Sequence, residues 1–430
     1  MTGPAQLRRA ARAREMPPSP PPAAVLPSLG ESESLPPRPL PRPDPLAELP
    51  IVILYPHSRC NCRCLMCDIW RDTAKRELGA AEVTRWVGEW RRLGVRQVVL
   101  SGGEALLHSD LWTICEGLRE AGISITLLST GLLLARDAER VARYCAEVIV
   151  SLDGPEAVHD RIRNLPRAYR KLAAGVAALR AAQAPATAPV PRSAPVAAPV
   201  PRSVPAPAAA SASADSSAPA GGGALSIAGR CTVQRLNFRH LRATAAAARE
   251  LGLDRLSFLA ADVSTDAFNR PLPWEPGRVA EVALAAAELP ELAAELDALE
   301  RERPDDFASG FLLETPDKLR RRLFDYYAAL CGQGDFPANR CNAPWVSTVI
   351  ESDGTVRPCF FQPPLGNLRQ AGSLAAVLDS PPARAWRRGL DVATDPICRK
   401  CVCTLAWDTS ASMPASAPAE APPSAAESRP

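Results

Sequence analysis

Residues 51–67 read IVILYPHSRCNCRCLMC. The opening run IVILY (51–55) is apolar and rich in β-branched residues, the composition of a strand buried on both faces. It stops at Pro56 and gives way to a polar loop with cysteines at 60, 62, 64 and 67. A buried strand that delivers chemically reactive residues at its end is the βα-loop arrangement of α/β folds.

The same unit recurs outward along the chain. VRQVVL (95–100) precedes a glycine pair and a helix from about Asp110, and ISITLL (123–128) precedes a helix near Arg136–Tyr144. EVIVSL (147–152) leads to a helix from about Arg167, SIAGRCTVQ (226–234) to one over His240–Leu251, and DRLSFLA (254–260) closes the series. Six strand–helix units predict a parallel sheet with helices packed outside. Doubly wound and barrel sheets share that pattern. Here polar and glycine-rich residues follow successive strands, which predicts a curved barrel with its site at the strand C-termini. The fold class expected is α/β: a partial (β/α)6 TIM-like barrel over 49–268.

Residues 276–330 carry helical apolar spacing in EVALAAAELPELAAELDALE and DKLRRRLFDYYAAL. They read as a helical connector, 269–336, to a small C-terminal α+β cluster-binding module over 337–407. Phe324, Tyr326 and Tyr327 fall at packing positions of that connector. Residues 1–48, about 182–223 and 408–430 are Pro/Ala/Ser-rich, and the second contains APVPRSAPVA followed by APVPRSVPAP. Such segments bury too little apolar surface to offset chain entropy and are expected to be disordered.

The 430 residues carry Lys+Arg 50 against Asp+Glu 47, net +3, which offers no electrostatic footprint for nucleic acid. No run has the length of a membrane span, and the Arg-containing N-terminus is followed by Pro-rich sequence rather than an apolar h-region. A cytoplasmic protein with no nucleic-acid or membrane partner is expected. Thirteen cysteines in such a setting predict metal ligands rather than disulfides. Nine of them fall into two groups, 60/62/64/67 and 341/359/398/401/403, while Cys115, Cys145, Cys231 and Cys331 stand singly in apolar or helical stretches as buried small hydrophobes.

In RCNCRCLMCDIW (59–70), Cys60, Cys64 and Cys67 have the spacing Cys-x3-Cys-x2-Cys. Three thiolates on one loop hold three irons of a [4Fe–4S] cluster and leave the fourth open. A zinc knuckle would need a fourth ligand, which Cys62 is able to supply. Placed after the first strand of a βα series, the motif resembles the radical S-adenosylmethionine (SAM) superfamily. Met66 stands where that family often carries an aromatic residue. The resemblance implies that the open iron accepts the amino nitrogen and carboxylate of SAM. Reductive cleavage would then give a 5′-deoxyadenosyl radical that abstracts hydrogen from a substrate, hard chemistry supplied by the cofactor.

Further motifs carry the resemblance in order. LSGGEALL (100–107) is similar to the family's GGE motif, with Gly102 and Gly103 permitting close approach and Glu104 facing the methionyl ammonium. Ala105 replaces its usual Pro. STG (129–131) supplies Ser129, and SLDG (151–154) resembles the family's Ser-x-Asp-Gly, supplying Ser151 and Asp153 towards the ribose or carboxylate. DGPEAVHDRIRN (153–164) continues the pattern and implies Arg163 at the SAM carboxylate; Asn237, after the fifth strand, is similar to a family Asn near SAM. Asp262 and Asn269, after the sixth strand, either touch substrate or cap the next helix.

In the C-terminal region, CNAPWVSTVIESDGTVRPC (341–359) reads as a hairpin with an Asp-Gly turn that returns Cys359 towards Cys341. With Cys398 and Cys401 it offers four converging thiolates, for zinc or iron–sulfur alike. Together with PPLGNL, AWRRGL and the closing CxxC, it resembles the SPASM/twitch module appended to many radical SAM enzymes. That implies one auxiliary [4Fe–4S] cluster on Cys341, Cys359, Cys398 and Cys401, with Cys403 as a possible substitute for Cys401.

The resemblance implies a radical SAM enzyme whose auxiliary cluster aids oxidation of a small molecule or biosynthetic intermediate. An electron donor such as flavodoxin or ferredoxin is implied with it. A peptide-modifying maturase is the alternative within the family. Outside it stands a non-catalytic iron–sulfur or zinc scaffold or electron carrier, which would have no use for the GGE and SLDG motifs.

Overall fold

The computed structural model describes residues 40–183, 225–268, 270 and 273–407. Apart from residues 40–48 and 182–183, the segments expected to be disordered lie outside the described residues, as does Asn269. Six parallel strands run β1 (Ile51–Leu54), β2 (Gln97–Leu100), β3 (Ser124–Ser129), β4 (Glu147–Ser151), β5 (Ser226–Val233) and β6 (Arg255–Ala260). They pair strictly in sequence, β1 with β2 through to β5 with β6. Between them lie α1 (Ala80–Arg92), α2 (Leu111–Glu120), α3 (Leu134–Tyr144), α4 (Glu156–Arg163), α5 (Ala168–Gln183) and α6 (Leu241–Glu250). Sequential parallel pairing with intervening helices is the partial-barrel architecture expected.

Alternation along each strand divides the core. Val52, Leu54, Val98, Leu100, Ile125 and Leu127 join the helix-packed cluster outside the sheet, while Ile51, Ile53 and Val349 form a separate one on its other face. On α1, Val83, Trp86, Val87 and Trp90 fall at i, i+3, i+4 and i+7, so one stripe is buried. Edge strand β6 is covered rather than left open: Leu256 N donates to Phe311 O and Leu313 N to Leu256 O. Tyr327 is fully buried, its hydroxyl donating to Val233 O at 2.6 Å, a packing role as its spacing suggested. Among the described residues no helix is long and apolar enough to cross a membrane.

The C-terminal module shares the barrel's sheet. The first strand of its hairpin, β7 (Ser347–Ile350), pairs parallel with β1, Ile51 opposite Ser347 and Leu54 opposite Ile350. β8 (Thr355–Arg357) and β9 (Gly366–Asn367) add antiparallel, giving one nine-stranded sheet in the order β6-β5-β4-β3-β2-β1-β7-β8-β9. Six strands leave the far side of β1 unpaired, and the fully buried β-branched run STVI covers it. Charge fixes the same junction: Arg369 makes a two-pronged bond to Glu82, and Glu89 on α1 accepts from Leu374 N and Ala375 N at the start of a module helix. Residues 40–48 belong to this junction as well, with Asp44 paired to Arg384 and Arg388 and Arg42 stacked on Trp345.

Candidate functional site

The cysteine loop leaves the C-terminal end of β1 and is held from three sides. The end of α4 takes it through Arg63 N to Arg163 O and Leu65 N to Ile162 O, the two peptides that flank Cys64. The segment after β6 takes it through Arg270 Nη2 to Met66 O at 3.3 Å and Arg278 Nη2 to Leu65 O at 2.6 Å. Between these guanidiniums, at 4.1 and 4.9 Å, lies the Trp274 ring, whose Nε1 donates to Asp68 at 2.6 Å. The third side is the glycine pair: a Cβ on Gly103 would lie 2.1 Å from Arg59 O, and Glu104 N donates to that same oxygen at 3.0 Å. Gly102 has φ +92 and packs against the Tyr55 ring, which a Cβ would meet at 2.7 Å.

Burial and mutual repulsion push the thiols of Cys60 and Cys67 up, Cys67 to about 12. Cys64 is the exception: a hydrogen bond from Cys62 and the charge of Arg163 bring it down to about 7 against the effect of burial. Crowded thiols of this kind are a donor set that a cationic cluster deprotonates and binds. Asn61 Nδ2, on the same loop, is a buried donor without a protein partner. Three thiols and an orphaned amide on one pinned loop fit the cluster and SAM that the sequence implies. Cys62 is buried against Cys64.

The motif residues gather around this loop, but several are turned to other work. Glu104 is fully buried, and its carboxylate accepts from Ser129 Oγ, Thr130 N, Thr130 Oγ1 and Leu106 N. That saturates its lone pairs, so the carboxylate expected at the methionyl ammonium ties the glycine turn to the turn after β3. Ser129 spends its hydroxyl on that tie, and Thr130 extends it to Asn61 Oδ1 at 3.0 Å. Asp153 pairs with Arg163 at 2.5 Å and accepts from Thr232 N at 3.0 Å. Arg163, expected at the SAM carboxylate, places Nη1 3.4 Å from Cys64 Sγ. Asn237, expected near SAM, bonds Asp153 O and Thr232 O through Nδ2 while Oδ1 accepts from Gln234 N, so it braces the β4 and β5 ends. Ser151 remains half-buried at the end of β4 opposite Arg230. Asp262 caps its own turn through Ser264 N and Thr265 Oγ1 and pairs with Arg270.

The second cysteine group shares one part of the module. Cys341, Cys359, Cys398, Cys401 and Cys403 all line one small cavity. Burial raises the thiols of Cys359 and Cys398 to about 12. Donors stand ready for their thiolates: Ala343 N at 3.5 Å from Cys341 Sγ, Gln362 Nε2 at 3.3 Å from Cys398 Sγ and Cys403 N at 3.4 Å from Cys401 Sγ. Asp395 caps the short helix that carries Cys398, accepting from Ile397 N and Cys398 N. An all-thiol set of this kind suits zinc or an iron–sulfur cluster.

A cleft of about 470 Å³ is lined by both parts of the chain. Tyr55 and Arg270 face it from the barrel, Glu351, Arg357 and Phe360 from the module. The arginine–tryptophan clamp escaped the sequence reading. Its signal is the spacing of four between Arg270, Trp274 and Arg278 within a Pro-rich stretch.

Comparison with known proteins bears on both sites. Residues 54–189 match the radical SAM superfamily, and residues 341–402 match SPASM, an iron–sulfur cluster-binding domain. AdoMet-dependent heme synthase of Methanosarcina barkeri is 31% identical over 134 residues, 29% of this chain and 38% of that protein. Pre-heme d1 synthase of Dinoroseobacter shibae is 32% identical over 131 residues, 30% of this chain and 32% of that protein. The chain thus spans about a third of the length of these curated relatives. In fold it is similar to Streptococcus suis SuiB bound to precursor peptide SuiA, with TM-score 0.53 and 14% identity over 83% of this chain and 71% of that one. It is also similar to anSMEcpe with bound AdoMet, with TM-score 0.53 and 18% identity over 82% of this chain and 87% of that one. The first domain implies a [4Fe–4S] cluster and SAM, the second auxiliary iron–sulfur. The chain carries a radical SAM domain over residues 54–189 and a C-terminal SPASM iron–sulfur cluster-binding domain over residues 341–402.

Proposed function

We propose that this protein cleaves SAM reductively at a [4Fe–4S] cluster held by Cys60, Cys64 and Cys67, and oxidises a substrate seated in the cleft that both parts of the chain line. The observation that carries the reading is that cleft. Arg270, on its wall, bonds the carbonyl of Met66 beside Cys67, while Phe360, which also lines it, follows Cys359 directly. A substrate there stands next to both sites. Cys60, Cys64 and Cys67 would hold the first cluster, which with SAM would supply the radical chemistry that removes a hydrogen atom from the substrate. Cys341, Cys359, Cys398 and Cys401 would hold the auxiliary cluster, which would supply an acceptor for the electron left on the substrate. Gly102 and Gly103 bring main chain to SAM, and Asn61 Nδ2 and Ser151 offer polar contacts at the rim; Glu104, Ser129, Asp153 and Asn237 hold those turns in place. A flavodoxin or ferredoxin would recharge the first site.

The cleft's volume suits a small molecule or biosynthetic intermediate. PqqA peptide cyclase of Rhodopseudomonas palustris, 32% identical over 127 residues, keeps a peptide substrate as the second reading. The test is anaerobic incubation with SAM and dithionite. Wild-type protein should accumulate 5′-deoxyadenosine and methionine, and Cys64→Ala should not. Deuterium transfer into 5′-deoxyadenosine from labelled candidates then identifies the substrate. Undiminished 5′-deoxyadenosine from Cys64→Ala refutes the proposal.

A further inference from the structure

Arg163 is a buried cation with two engaged faces, and neither is available to a ligand in the cleft. Nη2 lies 2.5 Å from Asp153 Oδ2 and Nη1 3.4 Å from Cys64 Sγ, with side-chain exposures of 7% for Arg163 and 0% for Asp153. Among the described residues Cys64 is the one thiol of the first loop that receives a guanidinium N–H. The contact is built rather than incidental. The peptides on either side of Cys64 are bonded to the carbonyls of Ile162 and Arg163, so the thiol and the guanidinium are held in register by main chain. Asp153 is fixed in its turn: Thr232 N donates to its carboxylate, its own N–H donates to His159 Nδ1, and its carbonyl accepts from Asn237 Nδ2.

We propose that Arg163 sets the reduction potential of the first cluster by donating to the Cys64 sulfur, with Asp153 as the counter-charge that aims it and limits its effect; this rests on the cluster reading given above. One-electron reduction places an additional negative charge beside Cys64. A buried guanidinium stabilises that charge with little screening by salt, and hydrogen bonds to cluster sulfurs shift iron–sulfur potentials. Loss of Arg163 should therefore make reduction harder. Loss of the Asp153 charge should make it easier, because the guanidinium is then no longer offset. Opposite signs from two partners of one ion pair are not produced by a merely structural role.

The experiment is an anaerobic, EPR-monitored titration of the full chain with both clusters assembled. The first cluster is identified by the change its signal makes on adding SAM, and the auxiliary cluster serves as reference in the same sample. With Arg163→Gln the reduced-to-oxidised ratio of the SAM-sensitive cluster at a fixed potential should fall at least tenfold, a midpoint lowered by about 59 mV or more. Asp153→Asn should move it the other way, Arg163→Lys should fall between, and the auxiliary midpoint should stay put. Full iron content with an unshifted midpoint in Arg163→Gln overturns the inference. So does a shift of the same sign in Asp153→Asn, the deciding variant if Arg163→Gln fails to assemble. Wild-type protein without any SAM-sensitive cluster overturns the cluster reading and this inference together.

Discussion

Gly103→Ala tests whether the first site depends on the contact between two backbones. A Cβ on Gly103 lies 2.1 Å from the Arg59 carbonyl oxygen and 2.6 Å from its carbon, atoms with no rotamer to escape into. Real Cβ contacts essentially never fall below 3.0 Å, so the cysteine loop must retreat by about 0.9 Å at the residue preceding Cys60. The Glu104 N to Arg59 O bond, 3.0 Å in the wild type, then stretches to about 3.9 Å and is lost. Overpacking costs ~1–3 kcal/mol and the lost bond ~1 kcal/mol. Gly122→Ala is the matched control: its φ is +75 and nothing lies within 4 Å, so the substitution strains only its own backbone, by ~1–2 kcal/mol. Both variants should therefore unfold at lower denaturant than wild type. Only Gly103→Ala should lose the first cluster, falling from roughly eight irons per chain to roughly four, with no EPR response to SAM. Gly103→Ala protein that holds roughly eight irons and responds to SAM as wild type does would show that the loops are not coupled through this contact.

Three further outcomes follow from the same geometry. Cys401→Ser should reduce iron to roughly four per chain while Cys403→Ser keeps roughly eight, by iron assay after anaerobic reconstitution; the reverse result makes Cys403 the fourth auxiliary ligand. Trp274→Phe removes the 2.6 Å bond to Asp68 just after Cys67, costing ~1.5–3 kcal/mol, and should lower the melting temperature and speed loss of the first cluster to a chelator. His159 is fully buried, and burial with the nearby Arg163 lowers its pKa from the usual 6.5 to about 3. Below pH 6.5 the unfolded chain therefore takes up a proton that the folded chain refuses, and stability falls by ~2 kcal/mol between pH 6.5 and 5. His159→Asn, which can still accept from Asp153 N, should flatten that dependence in urea titrations at pH 7 and pH 5.

The barrel was legible in the sequence because its evidence is local. Each strand is a short apolar run, each helix a 3.6-residue stripe, and sequential pairing follows from short connections. The pairing of β7 with β1 was not legible, because it joins Ile51 to Ser347 across most of the chain and no local pattern records an open edge. The site shows the same division more sharply. The turns carrying Glu104, Ser129, Asp153 and Asn237 stand where the motifs predicted, at the ends of β2 to β5. The direction of each side chain was not fixed by its motif, since short acids, hydroxyls and amides serve a neighbouring turn as readily as a ligand. In a mouth of this shape, each turn needs its buried peptide groups satisfied before it can present anything. Glu104 satisfies Thr130 N and Leu106 N, Asp153 satisfies Thr232 N, and Asn237 satisfies Gln234 N. The motif residues are thus spent on the walls. Cys60 and Cys67 differ in kind: the Cys62 and Ile69 amides do reach their sulfurs, but a thiol is a weak acceptor, so sulfur stays free for a metal when oxygen and nitrogen are already committed.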